Sequence, residues 1–189
     1  MAHYIIPDTP EIFLDVMGCP PRVPDFDAAL AGARVMQTPW GNIPTIGIKD
    51  LAALKTTQRL GDYQVIGQLV MRFLEEQPTA SPDDYRWAID HTHTLDDTME
   101  LLTAYPHAAA ACEAHGPIKA LAAGLQQAPP GPDRATRNAA EDWLNDRMSN
   151  LRRADRDHWQ AIIAELRKLK TKSSLMPAGE AVSSEQISR

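Results

Sequence analysis

Cysteine is scarce in this chain. Cys19 and Cys112 stand far apart and form no Cys-x-x-Cys pair, which excludes a disulfide scaffold and a cysteine-built zinc site. No apolar run approaches the ~18 residues of a membrane span. The opening residues, MAHYIIPDTPEIF, lack a basic stretch followed by a long apolar one, so no secretory signal is visible. The expectation is a cytoplasmic protein with no membrane partner. No Gly-rich phosphate loop, Ser/His/Asp signature or lipidation motif occurs. What is present is ordinary: 189 residues, 43% hydrophobic and 23% charged. That composition excludes wholesale disorder and suits one domain, or a small domain with a helical extension.

The net charge of -6 hides an asymmetry. Residues 1–133 carry 8 Lys/Arg against 17 Asp/Glu, whereas residues 134–172 carry 10 against 6. A basic segment on an acidic body either docks on that body or meets an external polyanion.

Residues 11–17 (EIFLDVM) alternate as a strand, with Ile12, Leu14 and Val16 on one face. A Pro-rich loop leads to a short helical turn over residues 26–31, with Asp25 as its N-cap. Residues 33–38 and 43–48 then read as a hairpin about Pro39-Trp40-Gly41-Asn42, with Gly-Asn as the turn signal. Residues 49–57 and 62–76 read as helices, the second marked by Val65, Ile66, Leu69, Val70, Phe73 and Leu74. Beyond the breaker at 77–82 the strand signals stop. Shorter helices are expected at 83–90 (N-capped by Ser81), 95–104 and 117–127. After the linker APPGPD a long helix runs over residues 134–170. Leu144, Met148, Leu151, His158, Ile162, Leu166 and Leu169 form a near-heptad track that Asp155 interrupts. The fold expected is α+β: a small N-terminal sheet of two to four strands with helices, then a mostly helical half ending in a long amphipathic helix. Its expected divisions are residues 1–77, 82–127, 134–171 and a disordered tail, 172–189.

The stretch from Ile43 to Leu69 is the most informative chemically. Lys55 and Arg59 are four residues apart and share a face if the helix persists, with Asp62 just beyond. Two such cations can hold an anionic group such as a polyphosphate, or they form a surface salt-bridge cluster.

Here the sequence resembles a family. The residues carrying the resemblance are Phe13-Leu14-Asp15-Val16, Val23 to Ala29, Ile43 to Ile46, and Asp50-Leu51-x-x-Leu54-Lys55-x-x-x-Arg59-x-x-Asp62. Together they look like the later half of a nucleotidyltransferase-superfamily domain with the DNA polymerase β fold, in the branch of minimal nucleotidyltransferases and abortive-infection toxin enzymes. The resemblance implies Mg²⁺-dependent transfer of a nucleotidyl group from an NTP. Asp15 would be a metal ligand, Lys55 and Arg59 phosphate contacts, and Asp62 the group that orients Lys55 or the acceptor. The family's Gly-Ser dipeptide occurs nowhere in the chain, and no Asp-x-Asp precedes Asp15. Asp25-Phe-Asp27 and Asp155-Arg-Asp157 fall in the wrong order and read as a cap or a solvated face. The chain therefore reads as catalytically incomplete by itself, its other half lost, cut off by a mis-assigned start, or supplied by another chain.

Other groups have plainer readings. His91 and His93, with Asp90, Asp96 and Asp97 nearby, could bind zinc but read as exposed histidines and caps at a helix junction. Cys112 in AAAACEAH reads as a buried small residue rather than a nucleophile paired with His115. The long helix carries Arg147, Arg152, Arg153, Arg156, Arg167, Lys168 and Lys170. With Trp143 and Trp159 these could grip a nucleic-acid backbone, but both tryptophans border the apolar track, which favours burial. Two functions follow: a nucleotidyltransferase-like remnant, or an interaction or antitoxin-like module that self-associates or binds a partner through its long helix.

Overall fold

A computed structural model describes residues 2–5, 13–16, 22–114, 116–127 and 131–173. Two two-stranded antiparallel sheets lie at the N-terminal side. Strand β1 (Ala2–Ile5) pairs with β2 (Phe13–Val16), with His3 opposite Asp15. Helix α1 (Phe26–Ala31) separates them from β3 (Arg34–Thr38) and β4 (Gly41–Thr45). Everything beyond is helical: α2 (Ile48–Lys55), α3 (Leu60–Glu75), α4 (Pro82–His91), α5 (Leu95–Ala104), a 3-10 segment (Pro106–Ala114), α6 (Gly116–Gln126) and α7 (Arg134–Thr171).

Local chemistry accounts for most boundaries. The Asp25 carboxylate accepts from Ala28 N at 2.9 Å and starts α1. Ser81 and Asp84 form a reciprocal capping box ahead of Pro82. Thr94 caps α5, and Asp133 caps α7 through Thr136 N at 2.7 Å. The hairpin turn falls on Pro39-Trp40, not on Gly41-Asn42, because Thr38 pairs with Gly41. Proline's fixed negative φ rules out a primed turn at Pro39. Gly41 supplies the positive φ instead, at 115°. Strand β1 gave no signal that the alternation of residues 11–17 offered for its partner. The expected tail lies outside the described residues from 174 onward; Lys172 serves as the C-cap of α7.

The core is helical. Tyr63, Ile66, Val70 and Leu74 of α3 meet Ile89 of α4, Leu101 of α5, Ile118 and Leu121 of α6, and Leu144 of α7. Each large side chain so buried contributes about 1.5–3 kcal/mol. Gly67 permits a close approach of α3 to α5, since a Cβ there would sit 2.5 Å from the Asp97 carboxylate. Cys112 is wholly buried, and burial pushes its thiol up to about 11, which suits packing and not nucleophilic chemistry. Neither α1, β3 nor β4 contributes a buried residue.

Candidate functional site

The residues singled out by sequence converge on the corner between α2 and α3. Helix α2 stops at Lys55 because two consecutive threonines offer their backbone other partners. The Thr56 hydroxyl donates back to Ala52 O at 3.1 Å. The Thr57 hydroxyl donates to Asp62 Oδ2 and accepts from Arg59 N. Residues 56–59 then run outside either helix, and Arg59 is the N-cap of α3. Lys55 and Arg59 therefore do not share a helix face. Asp62 sits in the first turn of α3, where the helix dipole favours a carboxylate. Its Oδ1 lies 3.7 Å from Lys55 Nζ, so Lys55 and Asp62 do come together. Arg59 is exposed on the turn. Asp15 is on β2, and its side chain lies outside the described residues.

The corner also receives α7. Asp155 is 1% exposed and is not on a solvated face. Its Oδ1 accepts from Arg22 Nη1 at 2.9 Å, and its Oδ2 accepts from Gln58 N at 3.0 Å. Arg22, held at φ 63°, also donates to Thr56 O at 2.6 Å. Arg152 Nε donates to Gln58 O, and Tyr63 OH donates to Thr57 O. Burial raises the Tyr63 pKa, which keeps the hydroxyl a donor. The polar groups of residues 56–58 are thus used to hold α7 on the body. Sequence reasoning missed Arg22, Gln58 and Asp155. The one signal was a carboxylate standing on an apolar helical track, a position that calls for a buried partner.

The histidine pair also differs from expectation. His91 is half-buried, bonded through Nδ1 to Trp87 O at 2.8 Å and stacked on Trp87. His93 is buried, edge-on to Tyr63, with neither ring nitrogen bonded to a protein group. Burial, then Arg147 and His91, push its pKa down to about 3. The imidazole is therefore neutral near pH 7. Among the described residues no group of three His, Cys, Asp or Glu side chains could hold a metal ion. Lys55 and Arg59 could hold an anion at the open side of the corner, but the described carboxylates do not fit a two-metal centre.

Past Asp155 the apolar face of α7 changes its surroundings. Leu144 is buried, and Met148 and Leu151 pack against the core. The same helical track continues through Trp159, Ile162, Leu166 and Leu169, with Ile163 beside it. Ile163 and Leu166 are 42% and 46% exposed. His158, the expected member of the track, is exposed, and the half-buried Trp159 takes its place. No helix among the described residues is long and apolar enough to cross a membrane. The chain matches no protein-family model, no curated protein and no solved structure.

Proposed function

We propose that the protein is an interaction module that self-associates through the C-terminal half of α7. One observation carries this reading: the face that seals the core at Leu144 runs on past Asp155 and stays uncovered at Ile163 and Leu166. An apolar face that is uncovered beyond its own body is the usual mark of a protein–protein contact. The Asp155 anchor supports the same reading, because it holds α7 at the corner while leaving the rest of the helix to project. Light scattering tests it. The mass is expected to rise above 20.9 kDa as concentration rises. Ile163→Asp with Leu166→Asp is expected to abolish the rise without moving the thermal midpoint at concentrations where the wild type is monomeric, since both residues are exposed. A full chain that stays monomeric at every concentration overturns self-association.

A second reading rests on Lys55 and Asp62, which meet across the broken helix as the nucleotidyltransferase resemblance requires. Under it the corner is the phosphate-facing remnant of such a domain: Lys55 and the exposed Arg59 contact an NTP, and Asp62 positions Lys55. Mg²⁺ would depend on Asp15 and on carboxylates from a missing half. Binding to the folded state raises the unfolding midpoint by mass action. A midpoint raised by one Mg-NTP, and no longer raised after Lys55→Ala with Arg59→Ala, supports the reading. Indifference to all four nucleotides overturns it.

A further inference from the structure

We propose that the projecting half of α7 is received by the α1–β3–β4 unit of a second copy, so that two chains exchange helices about a two-fold axis. The inference rests on α7 being the interaction element and adds the surface that it meets. That surface is a second uncovered apolar region among the described residues. Phe26 of α1 and Val35 of β3 are 75% and 65% exposed, with Leu30 exposed beside Phe26, while Met36 and Ile43 pair on the opposite face of the hairpin. A two-stranded sheet with one six-residue helix buries too little to be stable by itself. An apolar groove of about 200 Å³ runs between α1 and β4, lined by Phe26, Leu30, Ala33, Pro44 and Ile46.

Charge selects the partner. Residues 156–172 carry five cations (Arg156, Arg167, Lys168, Lys170 and Lys172) against Asp157 and Glu165. Residues 22–45, which span the α1 unit, carry Asp25 and Asp27 against Arg22 and Arg34, whose guanidinium groups are already paired with Asp155 and Glu76. The α1 unit is therefore the complementary surface. A pair of α7 helices laid antiparallel would set Arg156, Arg167 and Lys170, which share a row with Ile163, against the same row of the other copy. Area points the same way. A two-fold axis makes the contact twice, α7 on the α1 unit and the reverse, and doubles the burial.

Mixing experiments separate this arrangement from its rivals. Leu166→Asp disables the helix, and Phe26→Ser with Val35→Ser disables the receiving surface. Each variant alone is expected to be monomeric by light scattering. Mixed, they are expected to regain a species near twice 20.9 kDa at concentrations above those the wild type needs, because one of the two contacts, the intact helix of one on the intact surface of the other, is restored. If the α1-unit variant shifts the thermal midpoint, Leu30→Ser in the same groove replaces it. Association lost with Leu166→Asp but untouched by both α1-unit variants overturns the exchange and leaves α7 as the interaction element. Two monomeric variants that fail to restore each other also overturn it. A wild-type chain that never associates overturns the exchange and self-association together.

Discussion

The two halves of α7 carry the same amphipathic pattern and meet different surroundings. Up to Leu151 the apolar stripe packs on the core; beyond Asp155 the same stripe is half-buried at Trp159, Ile162 and Leu169 and exposed at Leu166. Between them lies one buried carboxylate whose partners, Arg22 and Gln58, come from the other end of the chain. Helical periodicity thus establishes that a face wants cover, and says nothing about what covers it. The α1–β3–β4 unit repeats the lesson in strands, with apolar residues in both strands and none of them buried.

Substitutions across this divide should differ most in stability. Leu144→Ala opens a cavity and is expected to cost about 3 kcal/mol, whereas Leu166→Ala at low concentration should stay within about 0.5 kcal/mol. Denaturant midpoints of the two variants compare them directly, and equal losses would mean that the second half of α7 is also sealed. Asp155→Ala removes the anchor and leaves Arg22 and Gln58 N–H without it. Because Arg22 keeps some solvent contact, about 2–3 kcal/mol is expected, with faster amide exchange over residues 152–171.

Acid should weaken the body. His93 has its folded pKa lowered to about 3, so the unfolded chain binds the proton first. Stability from this group is complete above the unfolded value near 6.5 and falls as pH drops from there toward 3. Between pH 7 and 5 the loss is about 2 kcal/mol, and His93→Leu should flatten that slope. A slope unchanged in the variant would assign the acid sensitivity to another group. The smallest effect belongs to the hairpin. Gly41→Ala strains a positive φ and should speed amide exchange over residues 34–45. The global midpoint should move by less than about 0.5 kcal/mol, because the unit buries nothing. A large global shift would mean that the hairpin is part of the cooperative body.

The helix caps at Asp25 and Ser81 were legible in the sequence because each is a short-range hydrogen bond between a side chain and the backbone three residues on. The periodic faces of α3 and α7 were legible for a similar reason, since repetition at three and four residues depends on neighbours alone. Strand β1 was not, because its pairing partners lie 8 to 14 residues away. The pairing of Lys55 with Asp62 could be suspected from spacing, but the break at Thr56-Thr57 that separates Lys55 from Arg59 depends on hydroxyls choosing among several backbone partners.

The sequence by itself determined where the helices capped by Asp25 and Ser81 begin, which residues are apolar enough to need cover, and that the last helix is basic on an acidic chain. Only the tertiary structure decided that Asp155 is an anchor and not an interruption, that His93 is buried and neutral, and that the cover of α7 stops midway along its face. Those outcomes turn on contacts between residues distant in the chain, as in Tyr63 with His93, Arg147 with Ile89 O and Arg22 with Asp155. Burial is a property of the neighbours that folding brings, and periodicity along one helix carries no information about them.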